Sequence, residues 1–193
     1  LAQGAPADVF ASANNAQMAV AVNAGRVAEG SARTFVRNRL VVVTTRDSRV
    51  RITRLQDLAR PGLKLVFAAR AVPVGQYTQE FLDKAAADPA FARSFKSDVL
   101  QNVVSYEDNV RAVLTKVSLG EGDAGVVYAS DVISSPRTPV RRVEIPRRLN
   151  VLAAYPIATV SDSDNPALAQ KFVDYMDASD TRLVLARYGF TLP

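Results

Sequence analysis

The segment FVRNRLVVVTT, residues Phe35 to Thr45, is β-branched and carries an unbroken apolar run from Leu40 to Val43. A continuous apolar run, where a half-exposed strand would alternate, marks a strand covered on both faces by helices. LNVLAAYPIATV, Leu149 to Val160, reads the same way. Around these two stretches, strand and helix signals follow one another. DVFAS (Asp8 to Ser12) precedes an Ala/Met/Val-rich helix, Ala16 to Ala24, that Gly25 ends. In RITRLQDLARPG, Thr53 is expected to cap a short helix stopped by Pro61 and Gly62, and the strand KLVFAA follows. Gly75 to Ala87 puts Tyr77, Phe81 and Leu82 on one side of a helix, and PAFARSF is expected to form a second, short one. After a brief strand at Asn102 to Val104, Ser105 and Asp108 have capping-box spacing ahead of Val110, Val113, Leu114 and Val117. AGVVY and VRRVEI are further strands, and two helices, opened by Asn165–Pro166 and by Ser179, close the chain.

This alternation predicts an α/β fold, a sheet covered by helices with ligand sites where strands hand over to helix N-termini. The strands around Leu40 and Ala154 each stand where one helix and strand series ends and another begins. They are read as two passages between two lobes.

Composition narrows the function classes. With 193 residues, 48% of them hydrophobic, the chain has enough apolar material for a packed core. The absence of both Cys and His removes disulfides, thiolate nucleophiles, imidazole bases and most zinc sites. Acidic residues are scattered, so no carboxylate pair signals an enzyme, and no cofactor is expected. Lys and Arg outnumber Asp and Glu by 24 to 19, a modest excess that attracts anions. The densest basic segment, Arg137, Arg141, Arg142, Arg147 and Arg148, is broken by Pro139, Pro146 and Val143, and reads as a solvated strand with its turns. No nucleic-acid partner is expected from it. No stretch approaches the roughly 18 apolar residues of a membrane span, and LAQGAPADVF lacks the charged and apolar regions of a signal peptide.

Seven segments in order carry a resemblance: GAPADVFAS from Gly4, RNRLVVV from Arg37, AVPVGQY from Ala71, EDNVRAVL from Glu107, GVVYASDV from Gly125, LNVLAAYPIA from Leu149 and RYGF from Arg187. With these the chain resembles the periplasmic molybdate-binding proteins of bacterial ABC transporters. The resemblance implies a two-lobed periplasmic-binding-protein fold of type II. Lobe I would be residues 1–37 with 156–193, and lobe II residues 38–155. It implies a periplasmic or extracytoplasmic receptor, not an enzyme, that passes molybdate, and also tungstate, to a membrane permease. The ligand would be held through its oxygens by backbone amides and hydroxyls, with no protein atom bound directly to the metal.

Three oxyanion-binding positions carry over: Val74, Val110 and Tyr128. From the residues alone, Val74 and Val110 read as core valines and Tyr128 as a half-buried strand tyrosine. The resemblance assigns the two valines backbone N–H donors at helix starts, and Tyr128 a neutral hydroxyl donor. Gly75 is expected to clear the approach of a ligand, and Arg111 is expected to be surface or rim charge. Members of the family also have a preceding segment with an apolar strand and further hydroxyl donors. Lobe I is therefore expected to be incomplete at its N-terminus, molybdate binding by these residues alone to be weak, and open sheet edges to favour self-association. The alternative class is the effector-binding domain of a transcription regulator on the same two-lobed fold.

Overall fold

The apolar run around Leu40 is the centre of a 13-residue strand, β2 (Arg33–Thr45), in the computed structural model, which describes residues 1, 3–46 and 50–193. Leu40 to Val43 are at most 1% exposed, as a strand covered on both faces requires. The chain divides into two compact units, Leu1–Asn38 with Leu152–Pro193, and Arg39–Val151. One division falls inside β2. The other falls at Val151/Leu152, ahead of the expected 155/156, because strand β7 (Leu152–Thr159) groups as a whole with the first unit.

In the first unit, β1 (Val9–Ala11) pairs antiparallel with β7, Phe10 opposite Ala158, and β7 lies beside β2. Helix α1 (Asn15–Asn23) starts where the Asn14 side chain accepts the Gln17 N–H at 2.8 Å. Its buried Met18 and Ala21 pack with Val27 and Ala158.

In the second unit, five strands run in the order β6 (Val140–Glu144), β2, β5 (Ala124–Tyr128), β3 (Leu65–Ala68) and β4 (Val103–Glu107). β2 is antiparallel to β5 and β6, whereas β3 is parallel to both β5 and β4. Every residue of β3 and β5 is buried. Helix α2 (Pro73–Ala87) has Pro at its first position, where a missing N–H costs nothing, and buries Val74, Thr78, Phe81, Leu82 and Ala85 along one stripe. Helix α4 (Val110–Ser118) buries Val113 and Val117. A Cβ at Gly125 of β5 would come within 2.7 Å of Val113 Cγ1, so glycine lets that helix lie directly on the strand.

Three local expectations are corrected. The segment after Arg54 is a 3-10 turn, Leu55–Ala59, and the group that satisfies its start is the Asp57 carboxylate, which accepts from the Thr53 and Arg54 amides at 2.9 and 3.2 Å. Ser105 is no cap. It lies within β4, donates to Glu107 Oε1 at 2.5 Å and accepts from Lys116 Nζ at 3.1 Å, while Asn109 caps α4 by accepting the Ala112 N–H at 2.9 Å. PAFARSF is mostly turn, because the Asp88 carboxylate accepts the Ala90 N–H at 2.9 Å, and helix α3 runs from Phe95 to Gln101.

Candidate functional site

β5, β3 and β4 are parallel neighbours, so their carboxyl ends reach the same edge of the second unit's sheet. Each strand gives way there to a helix: β5 to α5 (Ala129–Ile133), β3 to α2 and β4 to α4. Ala68 stands opposite Glu107, and the Ala69 N–H continues the ladder to Glu107 O at 2.8 Å. Tyr128, Val74 and Val110 therefore follow one another along this edge, in the order of their strands. This is the place where an open α/β sheet collects ligands.

Val74 is the second residue of α2 and is buried, its side chain part of the core. Pro73 has no N–H, and the Gly75 and Gln76 amides already donate to Val72 O at 2.9 and 3.1 Å. That leaves the Val74 N–H as the first-turn donor of α2, at the positive end of the helix dipole. Gly75 serves a different purpose from the one expected. A Cβ there would sit 2.1 Å from Ala69 O and 2.7 Å from Ala68 O, so its space is taken by the end of β3 and not left to a ligand. The glycine seats the start of α2 directly on the strand end.

Val110 is the first residue of α4. Asn109 takes up the Ala112 N–H, and the Val110 amide is by position a donor without an intrahelical acceptor. Tyr128 is 6% exposed and ends β5. Its backbone N–H is committed to Asp131 Oδ2 at 3.0 Å, so a contribution to a ligand has to come from the phenol hydroxyl.

Beneath α4, Glu107 accepts from Lys116 Nζ at 2.7 Å and from Ser105. These two bonds, Lys116 foremost, hold its carboxyl below the usual range despite partial burial. The network ties the helix to the strand that precedes it.

Asp131, which the sequence reading passed over, lines a cavity of about 420 Å³ between α4 and α5 with Arg111, Thr115 and Ser134. Loss of water raises its pKa to about 6, against the opposing pull of the Tyr128 N–H and of Arg111. Arg111 thus acts on Asp131 as well as carrying surface charge. In the sequence, the signal for Asp131 is its spacing three residues after Tyr128, the capping pattern at a strand-to-helix joint. Among the described residues no cluster of His, Cys, Asp or Glu could hold a metal ion, and no helix is long and apolar enough to cross a membrane.

Residues 1–191 match the family described as bacterial extracellular solute-binding protein. The chain belongs to that family. Among curated relatives, the molybdate-binding protein ModA of Mycobacterium tuberculosis is 38% identical over 193 residues, covering 100% of this chain and 69% of the relative. ModA of Escherichia coli is 31% identical over 198 residues, covering 98% of this chain and 72% of the relative. Of the solved structures, the periplasmic molybdate-binding protein of Azotobacter vinelandii superposes with a TM-score of 0.80 at 18% identity, over 99% of this chain and 80% of that one. At that identity the superposition speaks for the fold, that of the periplasmic binding proteins. Proteins of this family bind solutes.

Proposed function

We propose that this protein is the solute-binding component of a molybdate ABC importer, taking molybdate or tungstate in the periplasm or an equivalent extracytoplasmic space and presenting it to a membrane permease. The observation that carries the reading is the convergence of the α2 and α4 N-termini with Tyr128 on one sheet edge, in a chain 38% identical to a molybdate-binding protein. A fully ionised tetrahedral oxyanion only accepts hydrogen bonds. The Val74 and Val110 amides and the Tyr128 hydroxyl only need to donate them, and they carry no net charge that would have to be desolvated. A protonated anion brings a donor of its own against these donors and fits less well. Molybdenum is held through its oxygens, and the site asks for no cofactor. The matched family and the relatives above are solute receptors, which favours this reading over an effector domain of a regulator.

Thermal-shift measurements with molybdate, tungstate, sulfate and phosphate test the reading. They are to be run on these 193 residues and on a chain extended to the length of the M. tuberculosis relative. Molybdate and tungstate are expected to raise the melting temperature of the extended chain, with a smaller effect on the shorter one, because binding to the native state adds stability. Equal stabilisation by sulfate or phosphate would reject molybdate as the ligand. We also propose that the apolar side chains exposed on α6 (Pro166–Tyr175) and α7 (Ser179–Arg187), among them Leu168, Phe172 and Leu183, support pairing with a second copy. Light scattering that gives a monomer mass at every concentration would refute it.

A further inference from the structure

Three arginines of the basic segment, Arg141, Arg142 and Arg148, line one side of a groove in the second unit. A cavity of about 260 Å³ is lined by Arg51, Ile52 and Arg141, among others. A second, of about 380 Å³, is lined by Arg54, Phe91 and Arg148. The two share Thr53, Arg142 and Val143 in their linings, so they lie side by side. Glu144 lines the second of them, 4.0 Å from Arg142 and paired with Arg39. At one end Arg54 and Arg148 are paired, with Asp57 at 3.3 Å and Asp88 at 2.7 Å. At the other end Arg51 and Arg141 are exposed and form no ion pair among the described residues.

The end with Arg51 and Arg141 lies away from the candidate oxyanion edge. Arg141 stands opposite Thr44, which in turn pairs with Ala124 at the start of β5, whereas Tyr128 at the end of β5 pairs with Leu40. Arg51 and Arg141 are therefore not donors to that site.

We propose that this groove docks an extended acidic segment of a partner protein. Its cations are all arginines, whose planar forks pair with carboxylates in two-pronged fashion, as point-charge lysines do not. β6, which supplies Arg141 and Arg142, pairs with β2 and, among the described residues, with no other strand, so its far edge is a position on which an extended chain can lie. Ile52, Val143 and Phe91 give the groove an apolar lining that suits side chains alternating with the acidic ones. A flat anionic membrane makes poor contact with such a concave surface, and a nucleic-acid backbone has no use for the apolar lining.

Fluorescence anisotropy with an end-labelled peptide of alternating glutamate and valine tests the proposal. Saturable binding is expected, and the charge-reversed pair Arg51→Glu/Arg141→Glu should weaken it by about tenfold or more. Lys171→Glu/Arg187→Glu makes the same change of net charge on the first unit and should leave affinity within about twofold. Arg51→Gln/Arg141→Gln, a milder change at exposed positions, should give an intermediate loss, and it decides the matter if the reversed pair proves misfolded by circular dichroism. The proposal is overturned by absence of saturable peptide binding, or by equal weakening in both charge-reversed proteins, which would mean that only net charge is sensed. It is overturned equally if phosphatidylglycerol vesicles or a DNA duplex bind at this groove and the peptide fails to displace them.

Discussion

Gly75 shows how a single residue positions the candidate site. The ideal Cβ position there lies 2.1 Å from the Ala69 carbonyl oxygen, and that oxygen belongs to backbone, which cannot swing aside as a flexible side chain would. Gly75→Ala must therefore push the start of α2 away from β3 and move the Val74 N–H with it. A destabilisation of about 2–4 kcal/mol is expected in urea unfolding, as for overpacking in a rigid surround. In the extended chain, molybdate affinity should fall as well; stability within a few tenths of a kcal/mol of the parent would show that the contact is easily relieved. Asn150 is a second case. Its side chain replaces a strand partner, accepting the Leu40 N–H at 3.0 Å and donating to Leu40 O and Ile145 O at 2.8 and 3.1 Å. Asn150→Ala strips the side-chain partner from these three backbone groups and from the Val151 N–H, which Asn150 Oδ1 also accepts at 2.8 Å, and a loss of about 2–4 kcal/mol is expected from the same measurement. Neither role was legible in the sequence: an Asn beside a strand and a Gly inside a helix have many local readings, and only the tertiary neighbours choose among them.

At the scale of elements the sequence was far more informative. The unbroken apolar runs at Leu40–Val43 and in GVVY stood out because strands covered on both faces leave no polar alternation. The apolar side formed by Tyr77, Phe81 and Leu82 marked α2 from Gly75 to Ala87, and the helix begins two residues earlier, at Pro73. What escaped was the chemistry of the helix starts. Ser105 has the spacing of a cap, but its side chain is drawn into the bonds with Glu107 and Lys116 beneath α4, and Asn109 does the capping. The Val110 amide points to a ligand only if the first turn of α4 is held by that cap. Asn109→Ala is expected to cost about 1 kcal/mol of stability. Because it also frays the turn that carries Val110, it should weaken molybdate binding by more than Asn14→Ala, which removes the equivalent cap from α1, far in sequence from any proposed donor. Calorimetric titration of both variants in the extended chain makes the comparison. Equal affinities would remove α4 from the site.

The dependence of stability on pH belongs to the whole molecule, because carboxylates with opposite shifts add up in it. Glu107 is held below its usual range by Lys116 and Ser105, and Asp88 by the Ala90 amide and Arg148. At Asp57 desolvation pushes upward, and the bonds from Thr53 and Arg54 outweigh it, for a net lowering. These groups favour the folded state above the pKa they have when unfolded, and that share is lost as pH falls through their folded values. Asp131 runs the other way. Its folded pKa is about 6 against an ordinary 3.8, so the native state holds its proton more tightly than the unfolded chain does. Its favourable share is complete below about pH 4 and is lost as pH rises through about 6, leaving above that a buried charge that the Tyr128 N–H and Arg111 compensate only in part. Asp131→Asn keeps an oxygen to accept the Tyr128 N–H but has no proton to lose. The variant should match the parent near pH 4 and become the more stable protein as pH rises to 7.5, by about 1–3 kcal/mol, as two units of raised pKa imply at most. Urea unfolding of both proteins at pH 4.5, 6 and 7.5 reads the difference directly. The three shared carboxylates cancel in that subtraction, so a gap that stays flat across the range, of either sign, would mean that the Asp131 carboxyl is solvated in the folded protein and that the groove between α4 and α5 is open to water along its length.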